Sequence, residues 1–197
     1  MYLQSLLATF CLLMGSYSQE TDPLPEEDPK NFPNQDARKV YYVSGKQWVK
    51  WRTYTATTPP GGYKCEYAQI VGGADGEGEK NYTLEVGGRI GETWIRVNQT
   101  LVLKKSGSHP QPNVMQFQRN PDDGIQEHKL LYSDYDSCSI IRITRKTEGL
   151  FCDLLLFRNA ADAEPPSPCK EKFEEYCKGD RVEVYTSDCG TQQEEAA

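Results

Sequence analysis

The sequence predicts an all-β chain: an eight-stranded antiparallel barrel with one C-terminal helix packed outside and three disulfides. Three observations carry that prediction. Short β-rich runs recur at meander spacing with turn residues between them. One segment near the end changes to helical spacing. Six cysteines remain once an N-terminal leader is set aside.

Composition narrows the field first. The chain has 197 residues, 22 basic and 29 acidic, for a net charge of -7. That length fits one domain, or two small ones, and the charge argues against a nucleic-acid partner. Residues 1–18 read MYLQSLLATFCLLMGSYS, an uncharged apolar run ending in a small-x-small pattern. It is expected to be a secretory signal peptide cleaved after Ser18. The run is about half the ~20 residues a membrane-spanning helix needs, so no membrane insertion is expected.

Residues 19–36 follow as an acidic, Pro-rich N-terminal arm, expected to be extended and mobile. The domain proper is expected over 37–189, with a loose C-terminal tail over 190–197. The strands come in order as residues 48–55, 63–71, 81–86, 93–104, 114–118, 128–132, 137–144 and 150–157. Turn clusters separate them, including TPPGG at 58–62, GGADGEG at 72–78 and NPDDG at 120–124. No helical pattern intervenes, which favours an antiparallel barrel or sandwich over a parallel sheet. Eight strands enclose room for one small ligand.

Strand parity assigns the faces. Two glycosylation sequons, at Asn81 and Asn98, must point outward if they carry glycans. Side chains alternate, so Tyr82, Leu84 and Val86 then point inward, as do Ile95, Val97, Leu101 and Leu103. Both sequons therefore predict an apolar interior. The helix is marked by Cys169, Phe173, Tyr176 and Cys177 on one face, with Pro165, Pro166 and Pro168 before it and Gly179 after it.

Removing Cys11 with the leader leaves Cys65, Cys138, Cys152, Cys169, Cys177 and Cys189, and so three disulfides with 15 possible pairings. No C-x-x-C pair occurs and only His109 and His128 are available, so no metal and no cofactor are expected. No catalytic residue is expected either. Both histidines are read as surface groups, and the glycine-rich 72–78 segment opens no helix that could hold phosphate.

At this point the chain resembles the tick salivary lipocalins of the histamine-binding type. The residues that carry the resemblance are Leu131-Tyr132-Ser133-Asp134 leading to Cys138, then Cys152-Asp153-Leu154, then Cys169-Lys170-Glu171-Lys172-Phe173-Glu174-Glu175-Tyr176, and last Tyr185-Thr186-Ser187-Asp188-Cys189. The start at Val40-Tyr41-Tyr42-Val43-Ser44-Gly45-Lys46-Gln47-Trp48 is similar to the immunomodulatory branch that includes Japanin. The resemblance implies the lipocalin barrel and a pairing of Cys65 with Cys189, Cys138 with Cys169, and Cys152 with Cys177. Parity agrees with the last pair, because an inward Asp153 sends Cys152 outward toward the helix.

The resemblance also implies a carrier that binds a small host mediator and catalyses nothing. Amine binders need inward carboxylates, since a desolvated cation keeps a counter-charge. Asp153 is the first candidate, with a Tyr hydrogen bond as its alternative role. Leu155 stands where the family pattern has Trp, which replaces a cation-caging ring with an apolar wall. Glu66 is a second candidate acid, and an exposed strand position is its alternative. Trp51, Tyr82 and Ile95 complete the candidate ligand contacts. Trp51 and Tyr54 have opposite parity, so both cannot face the ligand.

The partner expected is therefore a small molecule: histamine, serotonin, an eicosanoid or a sterol. The function implied is a secreted, monomeric salivary lipocalin that suppresses host inflammatory or immune responses during blood feeding. Protein–protein contact with a host immune cell or factor, or carriage of the animal's own lipid, are the alternatives. The net charge bears little on the pocket. The arm between Gln19 and Pro33 supplies five acids less Lys30, and Glu194 and Glu195 supply two more, leaving about -1 for the barrel and helix.

Overall fold

A computed structural model describes residues 23–43, 45–56, 62–73, 81–119, 124–144, 151–157 and 160–190. The expected signal peptide over 1–18, the first residues of the arm, most of the expected turns at 58–62 and 120–124, most of the 72–78 segment and the tail from 191 lie outside them.

Eight strands run β1 Gln47–Arg52, β2 Lys64–Gly73, β3 Asn81–Ile90, β4 Thr93–Lys104, β5 Val114–Phe117, β6 Gln126–Ser133, β7 Cys138–Thr144 and β8 Phe151–Phe157. Each pairs antiparallel with its neighbour, β8 returns to β1, and β1 meets β2 at Gln47 and Trp48. The sheet thus closes into the predicted barrel. Helix α1 (Ala37–Tyr42) precedes it, helix α2 (Ser167–Tyr176) follows it, and a two-residue strand β9 (Val182–Glu183) joins the free edge of β1.

The β1–β2 seam is short, and the C-terminal segment completes it. Glu183 pairs with Trp51 and Val182 with Arg52. Beyond them the Val184 amide donates to Lys50 O, and the Cys65 amide donates to Val184 O. The Cys65–Cys189 disulfide holds this inserted segment to β2. Cys138–Cys169 and Cys152–Cys177 tie α2 to β7 and β8. All three bonds pair as expected.

Three clusters of buried side chains follow from the strand faces. The inner one fills the barrel with Val49, Leu84, Leu101, Met115, Phe117, Leu130, Ile141 and Leu155, and α1 plugs its end with Ala37 and Val40. A second lies outside the barrel, where Leu131, Ile140, Leu154 and Leu156 meet Phe173 and the two α2 disulfides. A third gathers Trp48, Tyr67, Tyr185 and Cys65–Cys189 on the outer face of the seam. The Tyr67 ring crosses Gly87 on β3 so closely that a Cβ there would sit 2.6 Å from it, so this packing requires glycine.

Two expectations are corrected. The arm is not free from residue 23 onward. Asp28 caps a 3-10 helix at Pro29–Asn34, Gln35 donates to Leu131 O, and Asn34 donates to Ser133 O. Glu26 is buried in an ion pair with Arg142 and lies 3.5 Å from Lys129. Prolines fix the backbone of this segment without preventing its side chains from docking. The histidines are not surface groups either. His109 and His128 are 3% and 0% exposed. His109 sits against Phe32 of the arm, and His128 stacks on Phe117 at 3.9 Å between ring centres.

Candidate ligand-binding site

The barrel has a closed end and an open one. At the closed end, α1 lays Val40 and Tyr41 over Leu84, Met115 and Leu155. The space left there is about 30 Å³, enough for roughly two waters at ~10–15 Å³ each. A middle chamber of similar size, also about 30 Å³, lies between Val49, Phe117, Ile141, Leu155 and the acids Glu66 and Asp153. A mouth chamber of about 220 Å³ opens beyond it, lined by Tyr63, Val86, Ile95, Val97, Glu66 and Arg119. Ile95 and Val97 are 37% and 51% exposed, so the mouth has an apolar, solvent-facing wall.

Between mouth and middle chambers lies a charged floor. Its geometry begins with an irregularity in β1. Val49 pairs with Leu155 and Trp51 with Leu154, so one residue is extra and Lys50 bulges. The bulge turns Trp51 outward and brings Arg52 inward. Trp51 therefore packs outside the barrel, 6.0 Å from the Phe173 ring and 4.1 Å beneath the Arg181 guanidinium. It does not face the chambers, contrary to its candidacy as a ligand contact.

Arg52 instead bonds Glu66 and places its Nε 3.8 Å from Asp153 Oδ1. Arg119, just past β5, bridges both acids, with Nε 2.5 Å from Glu66 Oε1 and Nη1 2.5 Å from Asp153 Oδ2. The Tyr54 hydroxyl adds a longer bond of 3.4 Å to Asp153 Oδ2. Burial raises the pKa of the Glu66 carboxyl, but the Arg119 and Arg52 guanidiniums outweigh it and hold the group at about 2. Burial likewise works against the charge of Arg119, and Asp153 and Glu66 overcome it. His128 stays neutral beside this cluster. Its burial, with Arg119 nearby, brings it down to about 3.

The sequence candidates divide accordingly. Asp153 and Glu66 meet on the floor, both buried, and Glu66 is not the exposed strand residue of its alternative reading. Leu155 lines the closed-end and middle chambers, and Ile95 lines the mouth. Tyr82 points inward but stacks on Tyr41 at the closed end, away from the floor. Asn81 and Asn98 are exposed on the outer face. Arg52, Arg119 and Tyr54 complete the site, and sequence reasoning missed the first two. Among the described residues, one group of metal-ligand types gathers, Asp134 with Cys138 and Cys169, and its two sulfurs are already bonded to each other.

A family model described as tick histamine binding protein matches residues 25–191. No curated protein sequence matches the chain. Among solved structures, the AM182–serotonin complex superimposes at a TM-score of 0.58 with 16% identity, over 78% of this chain and 91% of that one. Lobster apocrustacyanin A1 gives 0.53 with 12% identity, over 76% and 79%. Japanin from Rhipicephalus appendiculatus, bound to cholesterol, gives 0.49 with 10% identity, over 75% and 95%. The first two likenesses show a shared barrel fold and nothing finer.

Proposed function

This chain belongs to the tick histamine-binding protein family, and from that premise we propose that it is a secreted salivary carrier that sequesters a small amphipathic host mediator in the mouth of its barrel. The observation that carries the reading is an apolar chamber that ends on buried polar groups. Val86, Ile95 and Val97 receive the apolar body, and the Glu66–Arg119 floor receives the polar end. Such a pairing of apolar wall and few convergent polar groups suits a small-molecule site. As a member of a binding-protein family, the chain is a carrier and not an enzyme.

Removal of the mediator would suppress host inflammatory or immune responses during feeding. Secretion accords with three disulfides, which persist in oxidising compartments. Glycans on Asn81 and Asn98 would project from the outer face. An amine ligand is a second reading. Family membership favours it, and Arg119, at 12% side-chain exposure against 4% for Arg52, is the guanidinium nearer to release.

Native mass spectrometry of the secreted protein, titrated with histamine, serotonin, a leukotriene and cholesterol, tests the carrier reading. Micromolar or tighter binding of at least one is expected, and binding of none rejects it. If an amine binds, Asp153→Asn should cost about tenfold or more in affinity, since it removes one counter-charge.

A further inference from the structure

The chamber floor is electrically balanced. Asp153 and Glu66 supply two negative charges, and Arg52 and Arg119 supply two positive ones. None of the four side chains is more than 12% exposed, so a surplus charge there is poorly solvated. An ammonium arriving beside them leaves the floor at plus one, and a carboxylate leaves it at minus one. An uncharged head group leaves the balance as it stands.

The floor also has hydrogen-bonding capacity to spare. Asp153 Oδ1 and Arg52 Nε are both buried without hydrogen-bond partners, and they face each other at 3.8 Å. That separation is too long for a direct hydrogen bond. Both atoms are closed to a water-sized group, so a ligand hydroxyl, which both donates and accepts, meets instead the Glu66 carboxylate and the Arg119 guanidinium that line both chambers. Asp153 lines the middle chamber, whose room for roughly two waters admits a head group and little more. The larger mouth takes the apolar body. Leu155, Ile95 and Val97 offer aliphatic contact, and the rings of Phe117, Tyr67 and Tyr63 share the walls, so the selection against a cation rests on the charge balance of the floor.

Resting on the carrier reading above, we propose that this chain selects an apolar ligand ending in an uncharged hydroxyl, and rejects the matching amine and carboxylate. Arg119 is the selectivity-determining residue, because it borders both chambers and neutralises both acids. The family's name points to amines, so the proposal is that these two guanidiniums have changed the chemistry of the site.

Three probes with one tail and different heads, 1-octanol, octylamine and octanoate, separate the possibilities by calorimetric titration. The unmodified protein should bind the alcohol about tenfold or more tightly than either ion, because each ion leaves a buried surplus charge. Arg119→Met leaves the floor at minus one and should shift the amine-to-alcohol ratio about tenfold toward the amine. Glu66→Gln leaves it at plus one and should shift the carboxylate-to-alcohol ratio in the same way, so the logic survives if one variant does not fold. Octylamine binding the unmodified protein as tightly as octanol overturns the proposal, as do ratios unmoved in both variants. If none of the three binds, this inference fails, and the carrier reading fails with it only when the four host mediators also do not bind.

Discussion

Two walls of the same barrel live in different surroundings. On the wall of β7, β8 and β1, nearly every residue is buried: all six of β1, and six of seven in both β7 and β8. On the wall of β3 and β4, two of ten and one of twelve residues are buried. The first wall is covered outside by α2, and its neighbour β6 by the docked arm. The second meets solvent on its outer face and carries both sequons. Coverage decides what kind of sequence each wall needs. A strand buried on both faces reads as a continuous apolar run, as in Leu154-Leu155-Leu156-Phe157. A strand wet on one face alternates, as β4 does from Ile95 to Leu103. The mouth chamber opens on the uncovered wall, where side chains can meet a ligand without first displacing a neighbour.

If the covered wall is a true second core, truncation there should be severe. Leu156 points away from the barrel axis yet is fully buried beneath α2. Leu156→Ala should cost about 2–5 kcal/mol, the range for an aliphatic cavity, read as a lower urea midpoint at unchanged slope. A loss typical of a surface site would mean that α2 is only loosely laid on.

Cross-linking ranks next. Cys152 and Cys177 close a span of 25 residues between β8 and the end of α2. Replacing both by serine should cost about 2–4 kcal/mol and should expose the bond after Lys178 to limited trypsin digestion. Equal protection in the variant would show that packing alone holds the helix.

The smallest effect belongs to the uncovered wall. Val97→Ser changes a side chain that is 51% exposed, and should alter stability by less than about 0.5 kcal/mol. The same change should weaken ligand binding, because Val97 lines the mouth. A thermal shift as large as that of Leu156→Ala would erase the distinction between the walls.

What could be read from the sequence follows the same division. The alternation of β3 and β4, anchored by Asn81 and Asn98, placed their inward residues correctly. The outward burial of Leu154 and Leu156 could not be seen in their own strand, because it depends on a helix that follows 11 residues or more later. Asp153 and Glu66 were found as inward acids by parity relative to their neighbouring cysteines. Arg52 was missed, and Trp51 misplaced, for one reason: a single bulged residue at Lys50 inverts the parity of everything after it in β1. Arg119 lies beyond the end of β5, where strand periodicity says nothing about direction. A signal for α1 was present in Asp36, which caps the helix by accepting the Arg38 amide. It went unread because the helix is only six residues long.

The segment that completes the seam has a consequence for biosynthesis. Residues 182–184 supply backbone partners that β1 and β2 do not supply to each other, and Cys189 then joins Cys65 across 124 positions of sequence. A ribosome delivers these residues after all eight barrel strands. The β-hairpins from β3 to β8 can form while the chain is still emerging, but the closing contacts wait until residues 182–189 have emerged as well. Such long-range closure is slow relative to local pairing. Until it happens, the edge of β1 and the thiol of Cys65 stay available to oxidases and chaperones. In an oxidising compartment the disappearance of that early thiol would be a simple chemical readout of completion.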